Sequence, residues 1–164
     1  MRTIGFTGGS SIQTLGSIAE VQLFFDLASE IAKSDASQLE LVVDRLYKRY
    51  IRLADIPAAR DQMAIVRARF EGKQIDVSTL KVDPANSALN QNGTNAAQVF
   101  SKYFEAFEHV AETALLSFEA FKDFPDYQPQ PLKTVITDLD EFMVETERPL
   151  FEYDNLVGAP FWKR

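Results

Sequence analysis

Two aspartates in the last third of the chain have a spacing that could support phosphoryl transfer. In TVITDLDEF, residues 134–142, a β-rich run leads directly into Asp138 and Asp140. Two carboxylates at this spacing can act as nucleophile and general acid beside Mg²⁺. Only 24 residues follow Asp140, which leaves little chain for further acids of such a site. A helix cap, with Asp138 at the N-cap and Glu141 three residues later, explains the same residues and is the favoured interpretation.

The N-terminal stretch RTIGFTGGSS, residues 2–11, has the strand–glycine–helix order typical of phosphate-binding loops. A P-loop needs a lysine and a hydroxyl residue directly after its glycines. No lysine follows the glycines before position 33. We therefore predict a tight turn at Gly8 and Gly9, followed by a capping box in which Ser17 and Glu20 begin the first helix.

The composition restricts the remaining catalytic chemistry. The chain has no cysteine, which excludes thiolate nucleophiles, disulfides and cysteine-based zinc sites. His109 is the single histidine, and no G-x-S-x-G nucleophile elbow is present. On a helical projection His109 lies off the apolar face, so we expect it at the surface. We predict a protein that is not an enzyme and that binds no metal ion and no cofactor.

Hydrophobic periodicity predicts an α+β fold that is mainly α-helical. The 164 residues, of which 46% are hydrophobic, suit a single domain over residues 1–164. Apolar spacing predicts helices that begin near residues 18, 39, 55 and 95, the last running to about Phe124, and a short helix over residues 139–147. Short strands near residues 2–7, 74–82 and 132–137 should form a small β-sheet.

The aromatic residues of the C-terminal tail should pack against the body, because exposing their surface is costly. They are Phe151, Tyr153, Phe161 and Trp162.

No apolar run approaches the roughly 18 residues that a membrane-spanning helix needs. The N-terminus also lacks the basic-then-apolar order of a signal peptide. We therefore expect a cytoplasmic protein that does not bind membranes.

The net charge of −7 is concentrated in one part of the chain. Residues 101–164 contain 6 basic and 13 acidic residues, whereas residues 1–100 are balanced. An acidic surface disfavours direct binding of nucleic acid and favours a basic protein partner.

The predicted long helix carries most of this pattern. Its apolar face consists of Phe100, Phe104, Phe107, Ala111, Ala114, Phe118 and Phe121. A row of carboxylates, here called the acidic stripe, lies within an arc of about 60° on the same helical count. The acidic stripe consists of Glu105, Glu108, Glu112, Glu119 and Asp123.

Like charges spaced by three or four residues destabilise a helix, so the acidic stripe needs compensation. One hypothesis is internal ion pairing with a basic row on the second helix, formed by Arg45, Lys48, Arg49 and Arg52. The other is that the stripe stays open for a basic partner. The acids after the second β-rich run have few local cations and complete the predicted partner-binding surface; they are Asp138, Asp140, Glu141 and Glu145.

The sequence over residues 4–72 resembles the N-terminal half of immunity proteins from bacterial polymorphic-toxin and contact-dependent growth-inhibition systems. In that pattern a strand leads into a Gly-Ser turn, a second Gly-Ser, a Phe-Phe helix, a Leu-Tyr pair and a helix with alanines and apolar residues before an arginine. The matching positions here are Gly9-Ser10, Gly16-Ser17, Phe24-Phe25, Leu46-Tyr47, Ala58-Ala59 and Ile65-Val66-Arg67.

This resemblance implies a cytoplasmic binding protein that neutralises one cognate toxin C-terminal domain without catalysis. Many such toxins are basic nucleases, which suits an acidic surface. A monomer in a 1:1 complex is the expected state, in preference to a homo-oligomer. Two alternatives remain at this stage: a Mg²⁺-dependent phosphohydrolase that uses Asp138 and Asp140, and a structural subunit of a larger assembly.

Overall fold

The computed structural model describes residues 2–34, 38–138 and 148–164, and its small antiparallel sheet has the strand order β2-β1-β3. β1 (Ile4–Gly8) and β2 (Ser11–Gly16) form a hairpin, and β3 (Lys133–Ile136) pairs with the other edge of β1. The registers place Phe6 opposite Gln13 on one side and Thr134 on the other.

Helices pack against this sheet. The α-helices of the described residues are α1 (Ile18–Ser34), α2 (Ile56–Phe70), α3 (Ala96–Val99), α4 (Ser101–Phe121) and α5 (Leu150–Asp154). A π-helix covers Leu41–Leu46, and 3₁₀ turns cover Leu53–Asp55 and Phe161–Lys163. The predicted α+β class is confirmed, with about half of the chain helical.

Two of the three predicted strands are present, and the prediction of a strand at residues 74–82 is wrong. That segment makes only an isolated bridge between Gln74 and Asn95. The backbone N–H of Ser78 donates to Asp76 Oδ1 at 2.9 Å, an aspartate turn that bends the chain out of an extended conformation. The third strand is instead β2, between the glycine turn and the first helix, where the sequence pattern predicts no strand.

The predicted long helix is interrupted at its start. Asn95 caps α3 by accepting a hydrogen bond from the backbone N–H of Gln98 at 2.9 Å. The chain leaves helical geometry at Phe100 before α4 begins, and α4 ends at Phe121 instead of continuing to Phe124. The short helix predicted for residues 139–147 lies outside the described residues.

Aromatic rings form the centre of the core. Phe24 on α1 is fully buried, and its ring lies 5.2–5.6 Å from five others, those of Phe25, Phe70, Phe100, Tyr103 and Phe104. Most of these pairs meet edge to face, a geometry that adds about 0.5–1.5 kcal/mol per pair beyond area burial. One phenylalanine therefore holds α1, α2 and α4 together.

The glycine turn between β1 and β2 packs directly on the backbone of α4, and the turn prediction is confirmed. A Cβ atom on Gly8 would lie 2.7 Å from the carbonyl oxygen of Val110. Gly9 has a φ of 58° and faces the Thr113 carbonyl oxygen in the same way. The turn is shaped by this contact with α4, which occupies the space that a phosphate would need.

The capping box at the start of α1 is also confirmed. The Ser17 backbone N–H donates to Glu20 Oε2 at 2.9 Å, and the Glu20 N–H donates to Ser17 Oγ at 3.3 Å. Glu20 is only 2% exposed and accepts a further hydrogen bond from the Ser87 hydroxyl. Its carboxylate therefore joins the start of α1 to the loop before α3.

The C-terminal tail is held by carbonyl groups at the end of the π-helix. Such carbonyls lack partners within their own helix. The Trp162 indole N–H donates to the Tyr47 carbonyl oxygen at 2.7 Å. The Leu46 carbonyl oxygen accepts a hydrogen bond from the hydroxyl of Thr134, a residue of β3, also at 2.7 Å. Tyr153 and Trp162 are buried as expected, but Phe151 is 64% exposed because it lies on the solvent side of α5.

We predict that Gly8→Ala destabilises the protein by about 1–3 kcal/mol, because the new methyl group collides with helix backbone that cannot move aside. Chemical denaturation measures this change. Gly72→Ala is the matched control, since its Cβ atom would meet nothing closer than 3.7 Å. Equal stability of the Gly8→Ala variant and the native protein would contradict the close packing of the turn on α4.

Tyr103 provides a second stability prediction. Its hydroxyl is buried with no hydrogen-bond partner among the described residues, and burial, with a smaller effect from the charge of Glu20, raises its pKa well above the usual value. Tyr103→Phe should therefore leave stability unchanged or raise it by about 1 kcal/mol. Tyr47→Phe is the control and should lower stability, because the Tyr47 hydroxyl donates to Gln22 Oε1 at 2.9 Å.

Candidate partner-binding surface

The two faces of α4 have opposite environments. One face packs against β1, β2 and α2, and its buried side chains include Phe104, Phe107, Ala111 and Ala114. The acidic stripe lies beside this face: Glu105, Glu108, Glu112 and Glu119 are on α4, Asp123 lies in the turn after its last residue, and all five side chains are exposed. The predicted apolar face is therefore confirmed as far as Ala114. Beyond that point Phe118 is half-buried and Phe121 is 48% exposed, because α4 extends past the hairpin that covers it.

Two members of the acidic stripe make ion pairs. Arg60 on α2 donates to Glu108, with an Nη2–Oε2 distance of 2.5 Å and an Nε–Oε1 distance of 3.3 Å. This hydrogen bonding, with the negative charges of Glu108 and Glu112, raises the pKa of Arg60. Glu119 pairs with Lys122 on its own helix at 3.0 Å.

The other three members remain unpaired. Glu105, Glu112 and Asp123 have no ion pair with any residue that the structure describes. Glu105 and Glu112 lie on α4 and Asp123 lies just after it, and the field of such exposed carboxylates attracts cations over a range of about 10 Å at moderate ionic strength.

The basic row of the second helix does not neutralise the acidic stripe, so that internal-pairing hypothesis is wrong. Lys48 and Arg49 pair with Asp44 at 3.8 and 3.5 Å, and Arg45 approaches Asp154 at 4.0 Å. Arg52, the fourth member, is exposed and makes no ion pair with a described residue.

Arg49 also binds backbone. Its Nη1 donates to the carbonyl oxygens of Tyr153 and Asp154 at 2.8 and 2.7 Å. Carbonyls at a helix C-terminus lack partners within the helix and attract positive charge. Two members of the basic row, Arg45 and Arg49, therefore fasten α5 to the body and do not pair with the acidic stripe.

Asp138 lies at the end of β3 and is half-buried. Its Oδ1 accepts a hydrogen bond from the Thr3 hydroxyl at 2.9 Å, and its Oδ2 accepts one from the Thr3 backbone N–H at 3.3 Å. Both oxygens thus join β3 to the start of β1. Asp140, Glu141 and Glu145, the other predicted contacts in this region, lie outside the described residues.

His109 is exposed on α4, as predicted. In the part of the chain that the structure describes, no three histidine, aspartate or glutamate side chains converge to hold a metal ion.

No helix among the described residues is both long and apolar enough to cross a bilayer.

One feature of this surface, a group of exposed apolar side chains near the end of α4, was not predicted from the sequence. Leu116 is 63% exposed, Phe121 48% and Phe124 60%. The rings of Phe124 and Tyr127 lie 5.8 and 6.0 Å from that of Phe121, so the three aromatic residues form a cluster at the end of α4. In the sequence, this cluster is indicated by the run FKDFPDY, residues 121–127, in which aromatic and acidic residues alternate around the end of the helix.

Comparison of the chain with protein-family models, with curated proteins and with solved structures finds no match.

We predict that Arg49→Ala lowers stability by about 1.5–3 kcal/mol, because two charge-assisted hydrogen bonds to α5 are lost. Arg60→Ala is the matched control and should cost less than about 1 kcal/mol, since the Arg60–Glu108 pair is exposed. Urea denaturation of both variants measures the difference. A larger loss for Arg60→Ala would contradict the assignment of the basic row to α5.

Proposed function

We propose that the protein is an immunity protein that binds a cognate toxin C-terminal domain in the bacterial cytoplasm and neutralises it without catalysis. The toxin domain is basic, the complex is 1:1, and the acidic stripe of α4 is the face that meets it. A neutralising protein needs only to bind tightly and to cover the surface that its target uses.

The observation that carries this proposal is the unpaired negative charge on α4. Glu105, Glu112 and Asp123 are exposed and have no ion pair among the described residues, while Arg45, Lys48 and Arg49 pair with Asp44 and Asp154. Concentrated charge of one sign accelerates association with an oppositely charged partner by about 10- to 1,000-fold. Such a surface also imitates the phosphates that a nuclease binds.

The resemblance to immunity proteins supports the same conclusion, because its residues serve the scaffold. Gly9 forms the turn on α4, Ser17 caps α1, and Phe24 lies at the centre of the core. Leu46 is fully buried, and its carbonyl accepts a hydrogen bond from Thr134. If each immunity protein binds only one toxin, members of the family would share a scaffold and differ in their charged surfaces.

The phosphohydrolase alternative has less support. It requires the Asp138 carboxylate to attack a phosphoryl group, whereas both oxygens of that carboxylate accept hydrogen bonds from Thr3. The assembly-subunit alternative requires self-association, which sedimentation analysis of the purified protein measures directly.

We expect the triple variant Glu105→Lys, Glu112→Lys and Asp123→Lys to bind its partner at least about tenfold more slowly, because the attractive field on α4 is reversed. The partner to use is a catalytically inactive form of the toxin domain encoded beside this protein. Stopped-flow mixing at several salt concentrations measures the association rate, and calorimetry measures the stoichiometry.

A second triple variant, Glu40→Lys, Asp61→Lys and Glu71→Lys, is the matched control. These three acids are also exposed and have no ion pair among described residues, and their reversal changes the net charge equally. The control should retain most of the native association rate. Equal slowing by both triple variants would refute the acidic stripe as the binding face, and an absence of binding by the native protein would refute the proposed function.

A further inference from the structure

The end of α4 extends beyond the body of the protein. Ala114 is the last fully buried residue of the helix, and the glycine turn of the hairpin reaches only as far as Ser117. We call residues 116–127 the tip. It contains the last turn of α4 and the tight turns that follow it.

The tip exposes several large apolar side chains close together. Leu116, Phe121 and Phe124 are each about half or more exposed, and the ring of Phe121 packs at a tilt of 38–39° against the rings of Phe124 and Tyr127. Scattered apolar side chains are normal on a protein surface, but a contiguous cluster of large ones is typical of a binding site. Aromatic residues of this kind provide much of the binding energy at protein interfaces.

The charge around these rings indicates the kind of partner. The tip contains the acids Glu119, Asp123 and Asp126, and its one cation, Lys122, is tied to Glu119. Leu116 borders the acidic stripe, four residues after Glu112 and three before Glu119. The aromatic cluster therefore lies at the end of the acidic stripe that contains Glu119 and Asp123, and the negative charge of these acids complements a cationic surface.

Local hydrogen bonds hold the tip in shape. The backbone N–H of Lys122 donates to Phe118, that of Phe124 to Phe121, and that of Tyr127 to Phe124, at 2.8–3.1 Å. At its base the Gly9 N–H donates to the Gln130 carbonyl oxygen at 3.4 Å. A preformed projection loses little conformational entropy when it binds.

We propose that the tip inserts into a cleft of the toxin domain that is lined by arginine and lysine side chains, and that its aromatic cluster is the energetic centre of the complex. This inference rests on the proposed function and identifies the part of the surface that makes the tightest contact. Guanidinium and ammonium groups bind the faces of aromatic rings, so the rings and the acids recognise the same cationic lining. An element inserted into such a cleft would obstruct access of nucleic acid.

The test is the double variant Phe121→Ser and Phe124→Ser, which removes the rings and leaves every charge in place. We expect its dissociation constant for the inactive toxin domain, measured by calorimetry, to rise at least about 30-fold. Thermal unfolding should be unchanged, because both rings are exposed. Phe151→Ser is the matched control, since Phe151 is 64% exposed on α5, and it should change affinity less than about threefold.

Leu116→Ser is an independent single variant and should weaken binding about tenfold. If the native protein binds and both tip variants retain its affinity, the inference is overturned while the proposed function stands. If the native protein does not bind the toxin domain, both are overturned. Sedimentation equilibrium adds one more outcome: a native dimer that the double variant converts to a monomer would make the tip a self-association surface and overturn the inference.

Discussion

The close backbone contact between the Gly8–Gly9 turn and α4 determines how the rest of the molecule is presented to solvent. Because the turn carries no side chain, β1 and β2 can approach the carbonyls of Val110 and Thr113 directly. That approach covers the phenylalanine face of α4 and orients the acidic stripe outward. It also ends at Ser117, so the remaining turn of the helix emerges from the body. One contact therefore sets both the exposed charge and the projecting tip.

The arginines near the π-helix explain why that charge is not cancelled within the chain. Arg49 is held by two carbonyls of α5 and by Asp44, while the Tyr50 hydroxyl donates to Asp154 at 2.9 Å. A cation engaged with backbone carbonyls has lost much of its freedom, and moving it to a distant carboxylate would leave those carbonyls without partners. Arg45 and Arg49 are therefore engaged with α5 and Asp44, and neither pairs with the carboxylates of α4.

Features that depend on neighbours three or four residues apart could be predicted from the sequence. The capping box of Ser17 and Glu20 and the two-faced pattern of α4 are of this kind, and β3 is indicated by a run of consecutive β-forming residues. The ion-pair partners of Arg45 and Arg49 could not be predicted, because α5 lies about one hundred residues away along the chain. β2 was missed because its assignment depends on pairing with β1. The exposure of Phe121 was missed because it depends on where the hairpin stops along α4.

Aromatic rings projecting into water invite self-association, and the surrounding charge opposes it. Two copies that met tip to tip would bring Glu119, Asp123 and Asp126 of each chain together, and like charges in contact are repelled. A cationic partner reverses the sign of that interaction while the apolar contact remains the same. In the proposed complex, therefore, the rings supply affinity for any apolar surface that fits them, and the carboxylates restrict that affinity to a basic one. Neither set of residues achieves this selectivity without the other.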